Sequence, residues 1–186
     1  GEAKLHVDTS VKPRALPCHR VLSGLHEQVR EELQRLEKRG VLVPVEEPTP
    51  WVSQMAVVQK PNGSLCICID PQPLNEALLR EHYKLPTLED IRPSLNNAKL
   101  FSRLDVQEVY LHVKLDEESS KLCAIIMPLR RYRWAHLPFE LKVSSELFQK
   151  RLNEALEGLN GVCCVADDIM VVANGNTQGK ANVDCY

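Results

Sequence analysis

An α+β fold built on a largely antiparallel sheet follows from three features of the 186-residue chain. Apolar residues recur at helical spacing near both ends. An Asn-Gly pair separates two alternating runs, and strands then mix with helices without the regularity of βαβ units. With 44% hydrophobic and 26% charged residues, the composition is that of an ordinary globular protein and decides nothing about activity.

Residues 1–20 are polar and aperiodic and include Pro13 and Pro17, which reads as an extended lead-in outside the core. Leu25, Val29, Leu33 and Leu36 predict a helix over about 24–39, with Ser23 as N-cap, Glu31 and Arg35 as an i,i+4 pair, and Gly40 at C′. A Pro-rich turn (Pro44, Pro48, Pro50) follows. Val52 to Gln59 and Leu65 to Asp70 flank Lys60-Pro61-Asn62-Gly63, where Asn and Gly suit the positive φ angles of a type I′ hairpin. Thr87 to Leu95 reads as a short helix capped by Thr87, with Glu89 and Asp90 in its first turn.

Residues 100–115 form a strand entering a less regular segment, and 121–136 a strand pair. Ser144 or Ser145 caps a helix over about 145–157 with Leu147, Phe148, Leu152, Ala155 and Leu156 on one face and Gly158 as its stop. Val162 to Ala166 and Ile169 to Val172 are apolar strands on either side of Asp167-Asp168. The domain reading is a lead-in over 1–20, one domain over 21–173, and a polar, aperiodic tail over 174–186 that is expected to be disordered.

Seven cysteines with no C-x-x-C pair indicate reduced thiols rather than a disulfide framework or a zinc site. No apolar run approaches the roughly 20 residues that span a bilayer, so no membrane partner and an intracellular, cytoplasmic location are expected. The net charge of −2 argues against a generic polyanion binder, yet charge is segregated. Residues 46–118 carry 7 basic and 12 acidic side chains, a net of −5, whereas 121–151 carry 7 and 2, a net of +5. An acidic metal centre beside a basic phosphate track fits that division, as do two differently solvated surfaces.

An Asp-Asp dipeptide on its own fits an ordinary turn. Between two strongly apolar strands, adjacent like charges are costly unless a cation compensates them. A second acidic position, Asp105, ends the apolar run Phe101-Ser102-Arg103-Leu104. Carboxylates at a strand end and a hairpin tip have the oxygen chemistry to hold two Mg²⁺ ions, which would activate a 3′-hydroxyl and stabilise a leaving pyrophosphate.

The ordered blocks Gly40-Val41-Leu42-Val43-Pro44-Val45, Pro50-Trp51-Val52-Ser53, Lys60-Pro61-Asn62-Gly63, Cys68-Ile69-Asp70, Leu74-Asn75, His82-Tyr83, Leu85-Pro86-Thr87-Leu88-Glu89-Asp90-Ile91, Phe101-Ser102-x-Leu104-Asp105, Tyr132-Arg133-Trp134, Leu137-Pro138-Phe139 and Phe148-Gln149 resemble the reverse transcriptases of gypsy-type LTR retrotransposons. The resemblance runs from about Lys4 to Val172. It implies the fingers and palm of a right-hand polymerase, with a mainly antiparallel palm sheet, flanking helices and no thumb. By resemblance, Asp105, Asp167 and Asp168 are the catalytic, metal-binding triad for two Mg²⁺ ions, with Mn²⁺ as an alternative. Tyr110 would exclude a ribose 2′-hydroxyl, Lys60 would lie over the incoming triphosphate, and Gln149 would support the template-binding region, these three forming the nucleotide-binding set. Arg130, Arg131, Arg133 and Lys142 supply a basic stretch nearby.

The implied partners are an RNA or DNA template with primer, deoxynucleotide triphosphates, and the thumb and RNase H portions of a parent polyprotein, which works inside virus-like particles. The expected function is that of an RNA-directed DNA polymerase fragment, with a non-catalytic remnant, inert or used as a nucleic-acid or protein-binding module, as the alternative.

The alternative draws on departures from the family pattern. Cys66 stands where an Arg holds the triphosphate, Glu140 and Arg130 stand at Gly positions, and Val165 replaces the aromatic residue of Tyr-x-Asp-Asp. Gln72 and His136 likewise replace Arg. All but Val165 are one C-to-T or G-to-A transition away, as in an unselected copy. The chain's end past the Asp pair and its off-pattern tail are expected to reflect truncation, and together with these substitutions to impair activity.

Overall fold

The computed structural model describes residues 1–61, 63–95, 98–127, 130–165 and 168–173. In chain order these form α1 (His26–Lys38), β1 (Leu42–Val45), β2 (Gln54–Gln59), β3 (Leu65–Asp70), α2 (Gln72–Ala77), α3 (Leu88–Leu95), β4 (Leu100–Asp105), α4 (Glu117–Leu122), β5 (Ala124–Ile126), β6 (Arg131–Trp134), α5 (Ser144–Leu156), β7 (Val162–Val165) and β8 (Asp168–Ala173). They divide into two compact units, residues 1–81 with 110–144 and residues 82–109 with 145–186. The strand ladders are antiparallel in both, which is the mixed helix and antiparallel-sheet class expected. Among the described residues no helix is long and apolar enough to cross a membrane.

In the first unit, α1 buries Val29 and Leu36 and ends as its sequence predicts. Gly40 takes φ +72°, its N–H bonds the Glu37 carbonyl at 2.9 Å and the Val41 N–H bonds the Leu36 carbonyl at 2.9 Å. These are the paired bonds of a Schellman stop, which needs a residue tolerant of left-handed backbone. The start differs. A short 3₁₀ turn over Ser23–Leu25 leads in, and Leu25 is the N-cap without a side-chain bond. Arg35 pairs with Glu32 at i,i+3, Nε to Oε2 at 2.7 Å, rather than with Glu31.

The hairpin of β2 and β3 forms in register from Gln54↔Asp70 to Gln59↔Leu65. Its turn is not the two-residue I′ type. Lys60 N–H bonds the Ser64 carbonyl at 2.8 Å, Gly63 N–H bonds the Lys60 carbonyl at 2.9 Å, and Gly63 alone of the described loop residues is left-handed, at φ +83°. Pro61 explains the difference, because its ring fixes φ near −65° and suits a longer loop that ends on a left-handed Gly. Asn62 lies outside the described residues.

Pro44 belongs to a strand rather than to a turn. It pairs with Tyr132 on β1, which is an edge of the β1-β6-β5 sheet, and an edge is where a residue without an N–H is tolerated. Helix α4 replaces the expected start of the 121–136 strand pair, with the Asp116 carboxylate accepting from Ser119 N–H at 2.8 Å as its N-cap. Nor does the lead-in hang outside the core. Ala3 and Leu5 are buried, and Val7 and Ala15 bridge to Leu78 and Val52. The period-2 alternation of Ala3, Leu5 and Val7 accounts for this, since it turns one side of an extended segment inward. Leu42, Ile69, Leu74, Ile125 and Leu137 complete the centre of this unit, each at most 1% exposed.

In the second unit, the sheet order is β4-β8-β7. Helix α3 opens with the expected Thr87 cap. Its hydroxyl oxygen accepts from Asp90 N–H at 3.3 Å, and Asp90 Oδ2 accepts from Thr87 N–H at 2.9 Å, a reciprocal capping box. Lys84, followed by Thr87, holds the Asp90 carboxyl down to about 2. Helix α5 buries Leu147 and Phe148 but leaves Ala155 exposed, so the predicted apolar face narrows toward its C-terminus.

Gly161 opens β7 with φ +74°, and a Cβ there would stand 2.6 Å from the Val172 carbonyl oxygen. Val172 N–H also bonds the Gly161 carbonyl at 2.7 Å, so the two backbones have no room to part. Gly161→Ala is therefore expected to destabilise the protein by about 1–3 kcal/mol. Urea denaturation of the variant checks this.

Candidate active site

Residues far apart in sequence meet on one strand pair. β4 runs antiparallel to β8 from Leu100↔Ala173 to Asp105↔Asp168, so the two aspartates are direct cross-strand neighbours. Cβ atoms of such pairs lie about 4.5–5.5 Å apart. Alternation puts Arg103, Asp105, Asp168 and Met170 on one face of the sheet, and Leu104, Cys164 and Ile169 on the other. Helix α5 packs on the latter face, where buried Gln149 donates from Nε2 to Cys164 Sγ at 2.9 Å. The carboxylates thus occupy the face away from the helix.

Two carboxylates placed directly opposite each other repel. Arg103, two residues before Asp105, answers part of that charge with Nε 2.9 Å from Asp168 Oδ1. With 71% and 35% of these side chains exposed, the pair is worth about 0–1 kcal/mol. Two hard oxygen donors on one open face, with a cation already drawn to them, have the chemistry of a divalent-metal site. Asp167, the side chain of Val165 and the tail over 174–186 lie outside the described residues. Among the described residues no group of three or more His, Cys, Asp or Glu is gathered closely enough to hold a metal.

The remaining predicted residues are placed as follows. Lys60 is exposed at the start of the β2–β3 loop. Tyr110 packs edge-on against Phe139, ring centroids 4.7 Å apart at 80°, which fixes the ring's orientation. Gln149 is 2% exposed and bonds Asn153 Oδ1 at 2.9 Å as well as Cys164, so it is no surface glutamine. Arg131 donates to the carbonyls of Glu46 and Glu47 at 3.2 and 2.8 Å, and Arg133 to Ser120 Oγ at 2.7 Å. These two guanidinium groups therefore brace the first unit, and the expected basic stretch is not a row of uncommitted cations. Arg130 lies 3.9 Å from Glu37 and over the Tyr132 ring.

Sequence reasoning gave no role to Arg103, Phe139 or Asn75. The Asn75 side chain brackets the turn after Phe139, donating to the Glu140 carbonyl at 2.8 Å and accepting from Lys142 N–H at 2.9 Å. Within that turn Glu140 takes φ +61°, a left-handed conformation that favours glycine. The one available signal for Asn75 was its place in a block that resembles the family.

Mixed helices and antiparallel sheets define an α+β class, and solved structures share this fold. The fold matches prototype foamy virus protease-reverse transcriptase with a TM-score of 0.78 at 20% identity, over 91% of this chain and 23% of that one. A foamy viral protease-reverse transcriptase in complex with double-stranded DNA matches with a TM-score of 0.79 at 18% identity, over 97% and 33%. The chain belongs to the reverse transcriptase (RNA-dependent DNA polymerase) family, whose profile matches residues 58–186. An uncharacterized Caenorhabditis elegans protein is 33% identical over 176 residues, 93% of this chain and 14% of the relative. The retrovirus-related Pol polyprotein from transposon gypsy of Drosophila melanogaster is 28% identical over 94% of the chain and 17% of its own length. For the enzymatic polyprotein of cauliflower mosaic virus the figures are 28%, 84% and 24%. The chain thus spans 14 to 24% of these curated relatives.

Proposed function

We propose that the chain supplies the fingers and palm of an RNA-directed DNA polymerase, the first unit serving as fingers and the second as palm. The observation that carries this reading is the cross-strand pairing of Asp105 with Asp168. With Asp167 they would hold two Mg²⁺ ions, or Mn²⁺, in keeping with the general dependence of this family on divalent metals. The bound ions would supply Lewis-acid stabilisation of charge at the attacking and leaving oxygens. Asp105 and Asp168, cross-strand neighbours on one ladder, would hold that charge, and the Arg103 guanidinium, 2.9 Å from Asp168 Oδ1, would compete with it for Asp168. Tyr110, braced by Phe139, would exclude a ribose 2′-hydroxyl. Lys60 would reach the triphosphate, and Gln149, held to Cys164, would stiffen the helix that supports the template. Primer, template, deoxynucleotides and the remaining parts of a parent polyprotein are the partners this role requires.

A second reading, of a copy weakened in substrate use, has its own support. Cys66 offers no cation where the family has Arg, and Glu140 holds left-handed backbone where the family has Gly. The test is primer extension on an RNA template, with residues 1–172 carried by an intact relative. Metal-dependent synthesis well below the relative's own rate is expected. Synthesis at the relative's rate would refute the weakening, and none even after Cys66→Arg with Glu140→Gly would refute the polymerase role.

Glu140→Gly also carries a stability prediction. Relief of a left-handed non-glycine residue is expected to raise stability by about 1–2 kcal/mol, since the carbonyl and N–H that Asn75 brackets are backbone groups and remain. Thermal denaturation of the variant beside the parent reads this out.

A further inference from the structure

A polar cluster lies on the helix side of the second unit's sheet, behind the paired carboxylates. Asn153, on α5 one turn after Gln149, accepts at Oδ1 from Gln149 Nε2 at 2.9 Å and from Cys164 Sγ at 3.0 Å. Gln149 Nε2 also donates to Cys164 Sγ at 2.9 Å, which closes a ring of three side chains. The other end of the Asn153 amide donates from Nδ2 to the Tyr83 hydroxyl at 2.7 Å. Gln149 and Cys164 are buried, and Asn153 and Tyr83 are half-buried.

Donors and acceptors balance round this ring. The two hydrogens of the Gln149 amide go to different acceptors, and burial, against the Gln149 bond, pushes the Cys164 thiol up, so the sulfur keeps the proton it donates to Asn153. Turning the Asn153 amide over would set its NH2 group against that of Gln149, so one orientation alone satisfies every bond. We propose that Asn153 is a positioning residue for the acidic centre. Through Gln149 and Cys164 it ties strand β7 to α5, and so fixes the strand against which Asp168 is laddered. The inference rests on the metal centre proposed above.

The place of β7 in the sheet explains why such a tie matters. Among the described residues β7 spans four positions, Val162–Val165, and takes its ladder from β8 alone, on the far side of β8 from β4. Cys164 pairs with Ile169, and the next residue, Val165, pairs with Asp168. A shift of β7 at Cys164 therefore reaches Asp168 within one step of the ladder. Stability alone does not account for asparagine at position 153. Asn forms helix less readily than Leu, and replacing a buried hydrogen-bonded set by apolar groups of the same shape can be nearly neutral. A fully satisfied buried network instead selects a single geometry.

The experiment titrates the full, reduced chain with manganese chloride and follows free Mn²⁺ by electron paramagnetic resonance, for the parent and for Asn153→Leu, Cys164→Ala and Cys164→Ser. Asn153→Leu keeps the size and the helix but removes every bond of the hub. It is expected to weaken Mn²⁺ binding about three- to fivefold, less than the roughly tenfold or more that partners bonded directly to ligands cost, because the network acts through the backbone of β7. Cys164→Ala should weaken it likewise, whereas Cys164→Ser, which keeps a donor and an acceptor, should stay within about twofold of the parent. Thermal denaturation shows which variants are folded at the titration temperature, and Cys164→Ala carries the test alone if Asn153→Leu does not fold. Parent-like affinity in the folded Asn153→Leu and Cys164→Ala chains, or equal weakening by Cys164→Ala and Cys164→Ser, would overturn the proposal and leave the metal centre standing. A parent chain that binds no Mn²⁺ would remove the centre itself, and the proposal with it.

Discussion

Asp168→Asn is expected to cost about a thousandfold in primer extension when residues 1–172 are carried by an intact relative. The substitution keeps size and cross-strand register while removing one of the two described carboxylates that meet on the β4–β8 ladder. A metal ion supplies several kcal/mol of stabilisation to the charge that develops in the transition state, and each 1.36 kcal/mol is about tenfold in rate. Asp105→Asn should do the same, and the two losses should not add, because both residues serve one charge centre. Both side chains lie on an open face, so stability should change by no more than about 0.5 kcal/mol. Single-nucleotide incorporation with Mg²⁺ and then Mn²⁺, beside urea denaturation of each variant, separates lost chemistry from lost fold. Activity within a few-fold of the parent would remove both residues from the reaction.

Cys66→Arg in the same setting carries the second largest expected effect, a gain of one to two decades in nucleotide use. A charge-assisted hydrogen bond is worth about 1.5–3 kcal/mol, and Cys66 sits on the β3 arm of the hairpin that carries Lys60. The gain should fall mainly on KM for the deoxynucleotide, because a guanidinium that grips the polyphosphate binds ground state and transition state alike. Glu140→Gly adds a second gain by removing a carboxylate and restoring a residue at ease with φ +61°. Both changes lie in one unit and both bear on nucleotide use, so a double-mutant cycle measures their coupling. No change in KM on Cys66→Arg would show that position 66 has no part in holding the triphosphate.

What the sequence disclosed divides along a physical line. Features set by local chemistry were legible, such as the end of α1, where Gly40 permits a left-handed stop, and the Thr87 cap of α3. Strand β1 was not, because Pro44 reads as punctuation until an edge position is known to accept it. The β2–β3 hairpin was legible as a hairpin but not in its turn, since the Asn-Gly signal outweighed the constraint that Pro61 imposes. Helix α4 was missed although Asp116 followed by Glu117 and Glu118 is an ordinary start signal. The acidic positions were legible as candidates from the apolar strands that flank them, and Lys60, Tyr110 and Gln149 from resemblance alone, whereas the meeting of Asp105 with Asp168 was not readable from spacing. Asp105 and Asp168 are brought together by a register that the whole strand pair sets, and the burial of Gln149 beside Cys164 is likewise a tertiary contact with no local signal. Arg103 was invisible as a partner, since nothing local distinguishes it from any exposed strand arginine.

Mn²⁺ binding to the chain, followed by electron paramagnetic resonance, tests the paired-carboxylate centre most directly because it needs neither primer nor partner domains. Mg²⁺-competable binding is expected, weakened at least about tenfold by Asp105→Asn and by Asp168→Asn, as loss of one carboxylate ligand implies. Arg103→Gln should tighten it by up to about fivefold, the worth of an exposed ion pair that no longer competes for Asp168. Binding that is absent in the parent, or unchanged by both aspartate substitutions, would contradict a metal centre at this strand pair.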